Sequence, residues 1–592
     1  MAPTLCVAGL TGACRVLYRQ TMASLQRTRV KGHSYWRIVE SRRVNGKPRP
    51  VPVAYLGRAE DILVRLQAAG EVRVRSLSHG AVAGLWGGAR ELKVAETIDR
   101  ALRDAGRRGR RPSDAGKYLQ PRRRDGLSVG ESLTLASVGR AVHSTSKRGF
   151  SSWAKTTTLG ELARVDVQRL DSQHFWDQMD QFPLECIARV EREIVSKAVE
   201  KYSLPLDTLL YDGTNFFTFI ASTNKRSELA VRGHNKQKRN DLRQVSIAML
   251  CTRQHGIPIW HRTYEGNVSD ASCFETALPS IRKRLIELKG SVDELTLVYD
   301  KGNVSEANQR RVDASQLHYV TGLTVASQKK LVEEANSKMT PLVLSEDETV
   351  PAYRTKKLIW GKQRTVVVLV SERLREGQIR GILQHVASAQ KWLANLADTL
   401  RRGKQRRSRE VIERDIQTRL NGRQHLHRVI EYELTGVDPK LTLQYRVVPD
   451  ALQNLADETL GRLVLATDRH QWSTDEIIRC YRKQAEIEAL FAHLKDPEHV
   501  SVRPQFHWTD QKLYVHVLTC AIGHILARLL LVKAQRAGAS SKSQESLLDE
   551  LATVRRATIL RGGASKKKPN LTVQLEDIAP ELSALMTPLG IA

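Results

Sequence analysis

The order of elements predicted between residues 206 and 323 is the feature that most constrains what this chain can fold into. Three strand patterns follow one another with short connections: LDTLLYD continued by TNFFTFI, then LRQVSIAMLCT, then IPIWHRTYEGN after the turn signal His255-Gly256. An amphipathic helix from about Ala271 to Leu288 follows, then the strand ELTLVYD, another helix and the strand LHYVTGL. This order predicts an antiparallel meander that leads into parallel α/β units.

Such a succession predicts an α/β protein with an RNase H-like core, in which a mixed sheet is flanked by helices. Residues 324–460 interrupt the core and are predicted to form an inserted α+β domain with the strands RTVVVLVS, HRVIEYEL and LTLQYRVV. The core resumes with the strand RLVLATD and a helix from Thr474 to about Lys495. We therefore expect core segments at 201–323 and 461–531, with a C-terminal region at 532–592.

The region before the core is predicted to contain a small β-hairpin and a helical part, both binding DNA. Residues 31–58 have strand patterns on either side of Asn45-Gly46, a strong type I′ turn signal. From residue 60 to about 200 the periodicity is helical, interrupted at 103–125 by a basic loop or linker. We expect an N-terminal extension at 1–21 with the start of the protein at Met22, a basic hairpin region at 22–80 and a helical region at 81–200.

The charge of the chain favours a polyanionic partner. Its 592 residues include 94 Lys and Arg against 64 Asp and Glu, which gives a net charge of +30. The basic residues are spread through segments predicted to fold, which argues against a histone-like tail and favours nucleic acid. No apolar run reaches the 18 or so residues of a spanning helix, so we expect no membrane association. The cysteines show neither a C-x-x-C pair nor zinc spacing, as expected of reduced cysteines in a cytosolic protein.

Two predicted strands end in an acidic residue, and this marks a candidate site. Asp212 follows LLY and Asp300 follows TLVY. A carboxylate at the end of an apolar strand is costly unless it faces solvent, a cation or a metal. Either aspartate alone is also explained as a turn former, before Gly213 or before Lys301-Gly302.

A third acidic residue lies on the helix YRKQAEIEALFAHLKD. At about 100° per residue, one narrow stripe of a continuous helix would contain Tyr481, Gln484, Glu488 and Lys495. An ordinary solvent-facing stripe explains this spacing equally well. Three converging carboxylates would suit two Mg²⁺ or Mn²⁺ ions, which phosphodiester cleavage by in-line displacement uses. The sequence has no G-x-x-x-x-G-K-[ST] phosphate loop, which disfavours an NTP-driven helicase.

Taken together, these residues resemble the DDE transposases of bacterial insertion sequences, in the group with a Y-x2-R-x3-E-x6-K signature. Tyr481, Glu488 and Lys495 match the signature, and Gln484 stands where the family has Arg. The likeness extends through YDGTNFF, GHNKQKRNDLRQVSIAMLCTRQHGIPIWHRTYEGNVSD, VYDKGNVSEAN, IEALFAHLK and RPQFHW, in that order. It spans about 206–323 and 460–531.

The resemblance implies that Asp212, Asp300 and Glu488 are catalytic and bind two Mg²⁺ (or Mn²⁺) ions. Tyr481 and Lys495 would contact DNA near the transposon end, whereas Gln484 can donate a hydrogen bond to a phosphate but supplies no charge. Further predicted DNA contacts come from the signature helix, from the loop at 232–243 and from the hairpin: Arg482, Lys236, Lys238, Arg239, Arg42, Arg43 and Lys47. For the loop and the hairpin, a solvated surface remains the alternative. Trp508 is predicted to be a core or interface residue, with stacking on an extruded base as the alternative.

The function expected from this resemblance is DNA transposition in the bacterial cytoplasm, on the nucleoid. The protein would bind double-stranded DNA at the terminal inverted repeats, cut there and join the ends to target DNA. A homodimer is expected because both ends must be handled together. Two alternatives stay open: a catalytically inactive DNA-binding protein derived from a transposase, and an RNA-binding or nucleolytic protein with the same core.

Overall fold

The computed structural model describes most of the chain and divides it into two compact units. Unit 1 comprises Met1–Leu77 with Arg555–Asp577, and unit 2 comprises Ser78–Val554 with Ile578–Ala592. The described residues are 23–30, 33–44, 47–67, 72–108, 123–221, 223–235, 237–403, 407–422, 425–438, 440–496, 501–503, 505–539, 542–561 and 570–591.

Unit 1 contains two small three-stranded sheets. The first has the order β1-β2-β3 and the second the order β17-β16-β4. Their strands, with the helix α1 that follows β3, are β1 (Ala23–Val30), β2 (His33–Val44), β3 (Lys47–Arg58), α1 (Ala59–Gln67), β4 (Val72–Ser78), β16 (Arg555–Arg561) and β17 (Asn570–Leu575).

The predicted hairpin is confirmed, because β2 and β3 are antiparallel and Val44 is opposite Lys47. The turn residues Asn45 and Gly46 lie outside the described residues. The prediction of helix from residue 60 to about 200 is wrong over Val72–Ser78, which is strand β4. The partner of β4 in its sheet is β16, almost 500 positions later, and local periodicity carries no information about such a distant partner.

Helices at both ends of unit 2 pack around one central apolar helix, α18. This part of the fold contains α2 (Gly80–Glu91), α3 (Val94–Arg108), α4 (Val129–Val142), α5 (Phe150–Ala154), α6 (Leu159–Ala163), α7 (Ser172–Asp180), α8 (Cys186–Tyr202), α18 (Asp510–Arg536), α19 (Gln544–Thr553) and α20 (Pro580–Leu589). The loop predicted at 103–125 begins later than expected, because α3 continues to Arg108; residues 109–122 are outside the described part.

The apolarity of α18 reflects its position in the protein interior. Among the described residues, α18 is the one helix that is both long enough and apolar enough to cross a membrane. Its most apolar window is nevertheless 100% buried within the protein. It approaches α4 closely at Gly523, where a Cβ atom would lie 2.7 Å from the carbonyl oxygen of Ser137. A larger residue at this position would push the two helices apart.

The centre of unit 2 is a mixed nine-stranded sheet with the order β10-β11-β12-β15-β9-β8-β5-β6-β7. Its strands are β5 (Thr208–Thr218), β6 (Arg243–Thr252), β7 (Pro258–Glu265), β8 (Thr296–Tyr299), β9 (His318–Leu323), β10 (Thr340–Ser345), β11 (Glu348–Ile359), β12 (Lys362–Val370) and β15 (Arg462–Thr467). The predicted antiparallel meander of β5, β6 and β7 is confirmed, and so is the parallel pairing of β8 with β5 and β9. The short connection predicted between β5 and β6 is wrong, because it comprises residues 219–242.

Helices and 3₁₀ turns connect and cover these strands. They are α9 (Asp270–Lys289), α10 (Glu306–Ala314), α11 (Lys329–Asn336), α16 (Thr474–Arg482) and α17 (Gln484–Lys495), with 3₁₀ turns at Lys301–Asn303 and Val325–Gln328. A further 3₁₀ turn, Val167–Arg169, lies between α6 and α7. The start of α16 follows directly from its sequence. The side chain of Ser473 accepts a hydrogen bond from the backbone of Glu476, and Glu476 bonds back to the backbone of Ser473, which satisfies two otherwise unpaired donors.

The inserted segment is shorter than the predicted 324–460. Strands β10, β11 and β12 extend the central sheet, since β12 pairs with β15 from Thr365 opposite Thr467 onward. A separate hydrophobic cluster begins at Ile382 and ends at Leu460. Its elements are α12 (Glu372–Arg401), α13 (Arg409–Asn421), α14 (Leu426–Val429), β13 (Ile430–Val437), β14 (Lys440–Val447) and α15 (Pro449–Glu458). The apolar run of β12 fits either a core or an insertion, and only its pairing with β15 assigns it to the sheet.

Candidate active site

Asp212 and Asp300 lie side by side where the parallel ladder between β5 and β8 ends. The last pair of that ladder places Tyr211 opposite Tyr299, so the next residue on each strand is one of the two aspartates. Both tyrosines are 1% exposed, whereas both aspartates are half-buried. The two carboxylates therefore lie at the boundary between the apolar interior of the sheet and solvent.

The hydroxyl group of Tyr481, on α16, connects this boundary to the signature helices. It donates a hydrogen bond to Oδ1 of Asp300 over 3.2 Å. Burial raises the pKa of Tyr481, and the negative charges of Asp300, Glu488 and Asp212 raise it further. Asp300 is thus bonded to this hydroxyl group, and Glu488 and Asp212 are near enough to act on it through their charges.

A glycine on the neighbouring strand provides the space for this contact. A Cβ atom at Gly322, on β9, would lie 2.5 Å from Oη and 3.2 Å from Cζ of Tyr481. A Cβ contact of 2.5 Å essentially never occurs, so any side chain at this position would displace the tyrosine. The absence of a side chain at Gly322 thus fixes where the hydroxyl of Tyr481 lies relative to Asp300.

The predicted continuous helix over 474–495 is wrong, because it is broken at Lys483 into α16 and α17. Lys483 ends one helix and caps the next with a ψ of −7°, which turns the chain out of regular α-helical geometry. Tyr481 therefore belongs to α16, whereas Gln484, Glu488 and Lys495 belong to α17. The four residues do not form one stripe of one helix, and Tyr481 reaches the carboxylates from a separate element.

The position of α17 is fixed by its apolar face and by Lys495. The apolar face predicted for this segment is confirmed, since α17 buries Ile487, Leu490, Phe491 and Leu494. The ammonium group of Lys495 donates a hydrogen bond to Oγ1 of Thr214 and lies 5.7 Å from the ring centroid of Phe216. Thr214 is two residues beyond Asp212 and points to the same face of β5. Glu488, about two turns before Lys495 on α17, is exposed.

The side chains of Gln484 and Arg482, both predicted to contact DNA, are not fully free in solvent. The side-chain nitrogen of Gln484 is buried and has no hydrogen-bond partner among the described residues. Arg482 binds Oε2 of Glu348, on β11, over 2.8 Å. Its guanidinium group is one-third exposed, so it remains reachable from solvent.

Sequence reasoning missed a fourth carboxylate, that of Asp270, in the first turn of α9. A Cβ atom on Gly213 would lie 3.5 Å from Oδ1 of Asp270, and one on Gly302 would lie 4.0 Å from Oδ2 of Asp270 and 3.9 Å from Oδ2 of Asp300. Asp270 is exposed and therefore borders the same open region. Its sequence signal is the segment GNVSD, which belongs to the family likeness and directly precedes the helix predicted from about Ala271.

The chemistry of these side chains suits a divalent cation with oxygen ligands. Carboxylate oxygens are the ligands that Mg²⁺ and Mn²⁺ prefer. Within the described part of the chain, however, no group of three or more His, Cys, Asp or Glu side chains is close enough together to hold one metal ion. The three predicted carboxylates thus fit such an ion in chemistry, and in the described residues they do not form a compact cage.

Comparison with known protein families identifies the domain that contains this site. The family model of the transposase DDE domain matches residues 205–503, a range that includes Asp212, Asp300, Tyr481 and Glu488. The chain belongs to the DDE transposase family. Enzymes of this family generally use divalent metal ions, in keeping with a site built from carboxylates.

Among solved structures, a cryo-EM structure of the piggyBac transposase synaptic complex with hairpin DNA is similar to this DDE transposase over much of its length. The two chains are 10% identical, and the match covers 78% of this chain and 77% of the other with a TM-score of 0.34. A search of curated proteins found no match.

The transposase loop at 232–243, between β5 and β6, presents part of its predicted basic surface. Lys238 and Arg239 are exposed, and Arg239 forms two hydrogen bonds of 2.8 Å with Asp241. The loop is held by Gln244, whose side-chain nitrogen donates to the carbonyl oxygen of His234. Lys236 lies outside the described residues.

The predicted contacts on the hairpin belong to unit 1. Arg42 and Arg43 are on β2 and Lys47 is on β3, with Arg42 opposite Arg49. Their side chains are outside the described part of the transposase.

Proposed function

We propose that this chain is a transposase of a bacterial insertion sequence, of the group with the Y-x2-R-x3-E-x6-K signature. It hydrolyses phosphodiester bonds at the transposon ends and transfers the freed 3′-hydroxyl groups to target DNA. The observation that carries this proposal is the position of Asp212 and Asp300, side by side at the end of the β5–β8 ladder with Tyr481 bonded to Asp300, within the region matched by the transposase DDE domain.

The order of the strands supports an RNase H-like core. An antiparallel meander of three strands is followed by two parallel strands on the side of its first strand, in the order β7-β6-β5-β8-β9. This topology brings Asp212 and Asp300 onto adjacent strands, although 87 residues separate them in the sequence.

In this proposal, Asp212, Asp300 and Glu488 hold two Mg²⁺ (or Mn²⁺) ions. Bound there, the ions would activate the attacking water or 3′-hydroxyl and stabilise the leaving oxygen of an in-line displacement. The hydroxyl of Tyr481 orients the carboxylate of Asp300 through its hydrogen bond. Lys495 holds α17 against β5 through Thr214, so that Glu488 stays opposite the two aspartates, and adds a positive charge for a DNA phosphate.

The DNA partner in this proposal is double-stranded: the terminal inverted repeats of the element and the target DNA. The charge of +30 supplies the attraction that the acidic site lacks. Lys238, Arg239 and Arg482, together with the hairpin, would contact the backbone. The active form would be a homodimer on DNA, because two ends must be cut and joined together.

The test is cleavage and strand transfer on a duplex that carries the end of the element, with Mg²⁺ or Mn²⁺. Replacement of Asp212, Asp300 or Glu488 by Ala should each lower the rate by about 100-fold or more, since a group that stabilises charge in the transition state is lost. Glu346→Ala, an exposed carboxylate between β10 and β11, is the matched control and should leave the rate unchanged. Full activity of any of the three site variants would contradict the assignment.

A catalytically inactive DNA-binding protein is the second candidate, and Gln484 is the observation that favours it. Gln484 is a neutral residue with a buried side-chain nitrogen. It occupies the position at which the family has a positively charged Arg. If the wild-type protein binds the ends in a salt-dependent way but never nicks them, this second candidate is correct. If it nicks them, Gln484→Arg should strengthen end binding without being required for cleavage.

A further inference from the structure

The first turn of α17 is attached to α18 by one ion pair. Among the described residues, no side chain caps the start of α17 at Lys483. Two residues into the helix, Oε2 of Glu486 instead accepts a hydrogen bond from Nη2 of Arg528, on α18, over 3.1 Å. A carboxylate in the first turn of a helix also interacts favourably with the helix dipole. The pair of Glu486 and Arg528 therefore stabilises the beginning of α17 and fixes it against α18.

The turn between β6 and β7 holds Arg528 in place. Nε of Arg528 donates a hydrogen bond to the carbonyl oxygen of His255. The next residue, Gly256, leaves room for the guanidinium group, because a Cβ atom there would lie 2.6 Å from Nη2 of Arg528. The side chain of Arg528 is only 10% exposed, and a buried cation needs a carboxylate and further hydrogen bonds to offset its lost hydration. Since β6 pairs with β5, where Asp212 is opposite Met249, Arg528 connects α17 to the sheet that contains Asp212.

The two attachments of α17 lie on either side of Glu488. Glu486 is two residues before Glu488, and Lys495, whose ammonium group bonds to β5, is seven residues after it. Glu488 itself is exposed, so packing around its own side chain does not fix its position. The position of Glu488 relative to Asp212 and Asp300 is therefore set by the points at which α17 is attached.

We propose that Arg528 is a positioning residue for cleavage, which keeps Glu488 in place by fixing Glu486 and with it the first turn of α17. The inference rests on the proposed function, because it takes Glu488 to be a metal ligand. Replacing groups that orient the ligands of a metal ion typically lowers metal affinity by about 10- to 100-fold. Loss of the pair should therefore weaken metal binding although all three proposed ligands remain in the chain.

The first experiment measures Mn²⁺ binding to the full-length protein without DNA, from the electron paramagnetic resonance signal of free Mn²⁺. Glu486→Gln and Arg528→Gln should each weaken binding about tenfold. The double variant should bind no more weakly than Arg528→Gln, because two residues that act through one contact are not additive. Arg528→Lys keeps the positive charge and should bind Mn²⁺ more tightly than Arg528→Gln does.

The second experiment measures single-turnover cleavage of a duplex with the end of the element as a function of Mn²⁺ concentration. Arg528→Gln should raise the concentration that gives half the maximal rate about tenfold, while the rate at saturating Mn²⁺ stays within about threefold of wild type. A general loss of folded protein would instead lower the rate at saturating Mn²⁺ and leave the half-maximal concentration unchanged, and this result would overturn the proposal.

Lys533→Gln is the matched control, because Lys533 is also on α18 and pairs with Glu91, on α2, over 2.7 Å with 17% of its side chain exposed. It should leave Mn²⁺ binding unchanged, and an equal loss in this variant would overturn the proposal in favour of a general effect on stability. Wild-type affinity in Glu486→Gln and Arg528→Gln, with weakened binding in Glu488→Ala, would overturn the proposal alone. Equal binding by wild type and Glu488→Ala would contradict the proposed function, and this inference with it.

Discussion

At the scale of single residues, Tyr481 joins the candidate catalytic carboxylates to the rest of the fold. Its hydroxyl donates to Asp300, and its ring occupies the space left by Gly322. Neither contact is visible in the sequence, since each joins positions more than 150 residues apart.

Tyr481→Phe should slow cleavage about tenfold, because a hydrogen bond to a charged group contributes about 1.5–3 kcal/mol and each 1.4 kcal/mol is tenfold in rate. Single-turnover cleavage measures the effect, and DNA affinity should stay within about twofold of wild type. Tyr202→Phe is the control. The hydroxyl of Tyr202, at the end of α8, also donates a hydrogen bond to a carboxylate, that of Glu91, over 2.8 Å. Equal losses in both variants would show a general effect on stability.

The effect of Tyr481→Phe should not depend on pH between 7 and 9. Burial and the carboxylates raise the pKa of Tyr481, so the hydroxyl keeps its proton, and with it the bond to Asp300, throughout this range. Rate ratios of wild type to variant at several pH values measure this. A ratio that falls towards one by pH 9 would show that the tyrosine ionises there.

Gly322→Ala should displace Tyr481 and lower both activity and stability, the latter by about 1–3 kcal/mol, as expected for overpacking. Denaturant unfolding and cleavage rates measure the two effects. Gly377→Ala, at an exposed position of α12 with nothing within 4 Å of the added Cβ, should instead raise stability slightly, because Ala has the higher helix propensity. The same result in both variants would contradict the assigned role of Gly322.

At the scale of elements, the short helix α16 positions Tyr481, and its first turn depends on the capping box at Ser473. Ser473→Ala should cost about 1 kcal/mol in unfolding free energy and should also slow cleavage, because fraying of α16 moves Tyr481. Ser305→Ala removes the N-cap of α10, which accepts from the backbone of Asn308. It should cost a similar free energy and leave cleavage at the wild-type rate when both proteins are folded.

The elements also show what local pattern predicts and what it does not. The sequence predicts the strands β5 to β9 and the helix α9 close to their bounds, because each is an apolar or amphipathic run of a length typical of its element. The break at Lys483 was missed, since every residue from Thr474 to Lys495 is compatible with a helix. The strand β4 was missed because its partner is distant in the sequence.

At the scale of the whole molecule, the helical part of unit 2 encloses several histidines, which makes its stability depend on pH. Burial lowers the pKa of His507, His516 and His524 well below the ordinary value. The unfolded chain therefore binds more protons than the folded one below about pH 6.5, so stability should fall as the pH is lowered through 6 and 5.

Melting temperatures between pH 8 and 5 measure this effect. His524→Leu should reduce the loss at low pH and raise stability at pH 8, because neither ring nitrogen of His524 has a hydrogen-bond partner among the described residues. His427→Gln, at an exposed position, should leave the pH dependence unchanged. A variant His524→Leu with the wild-type profile would show that other groups govern the acid sensitivity.

The sequence by itself determined the order of the strands in the first part of the core, the hairpin, the positive charge of the chain and the positions of Asp212, Asp300 and Glu488 relative to their elements. These follow from local periodicity, turn residues and composition, which each act over a few residues. The bond of Tyr481 to Asp300, the addition of Asp270, the extension of the sheet by β10 to β12 and the ion pair between Arg528 and Glu486 were decided only by the tertiary structure. Each depends on contacts between distant segments, and a side chain such as Tyr481 finds its partner only when packing leaves room for it, as Gly322 does.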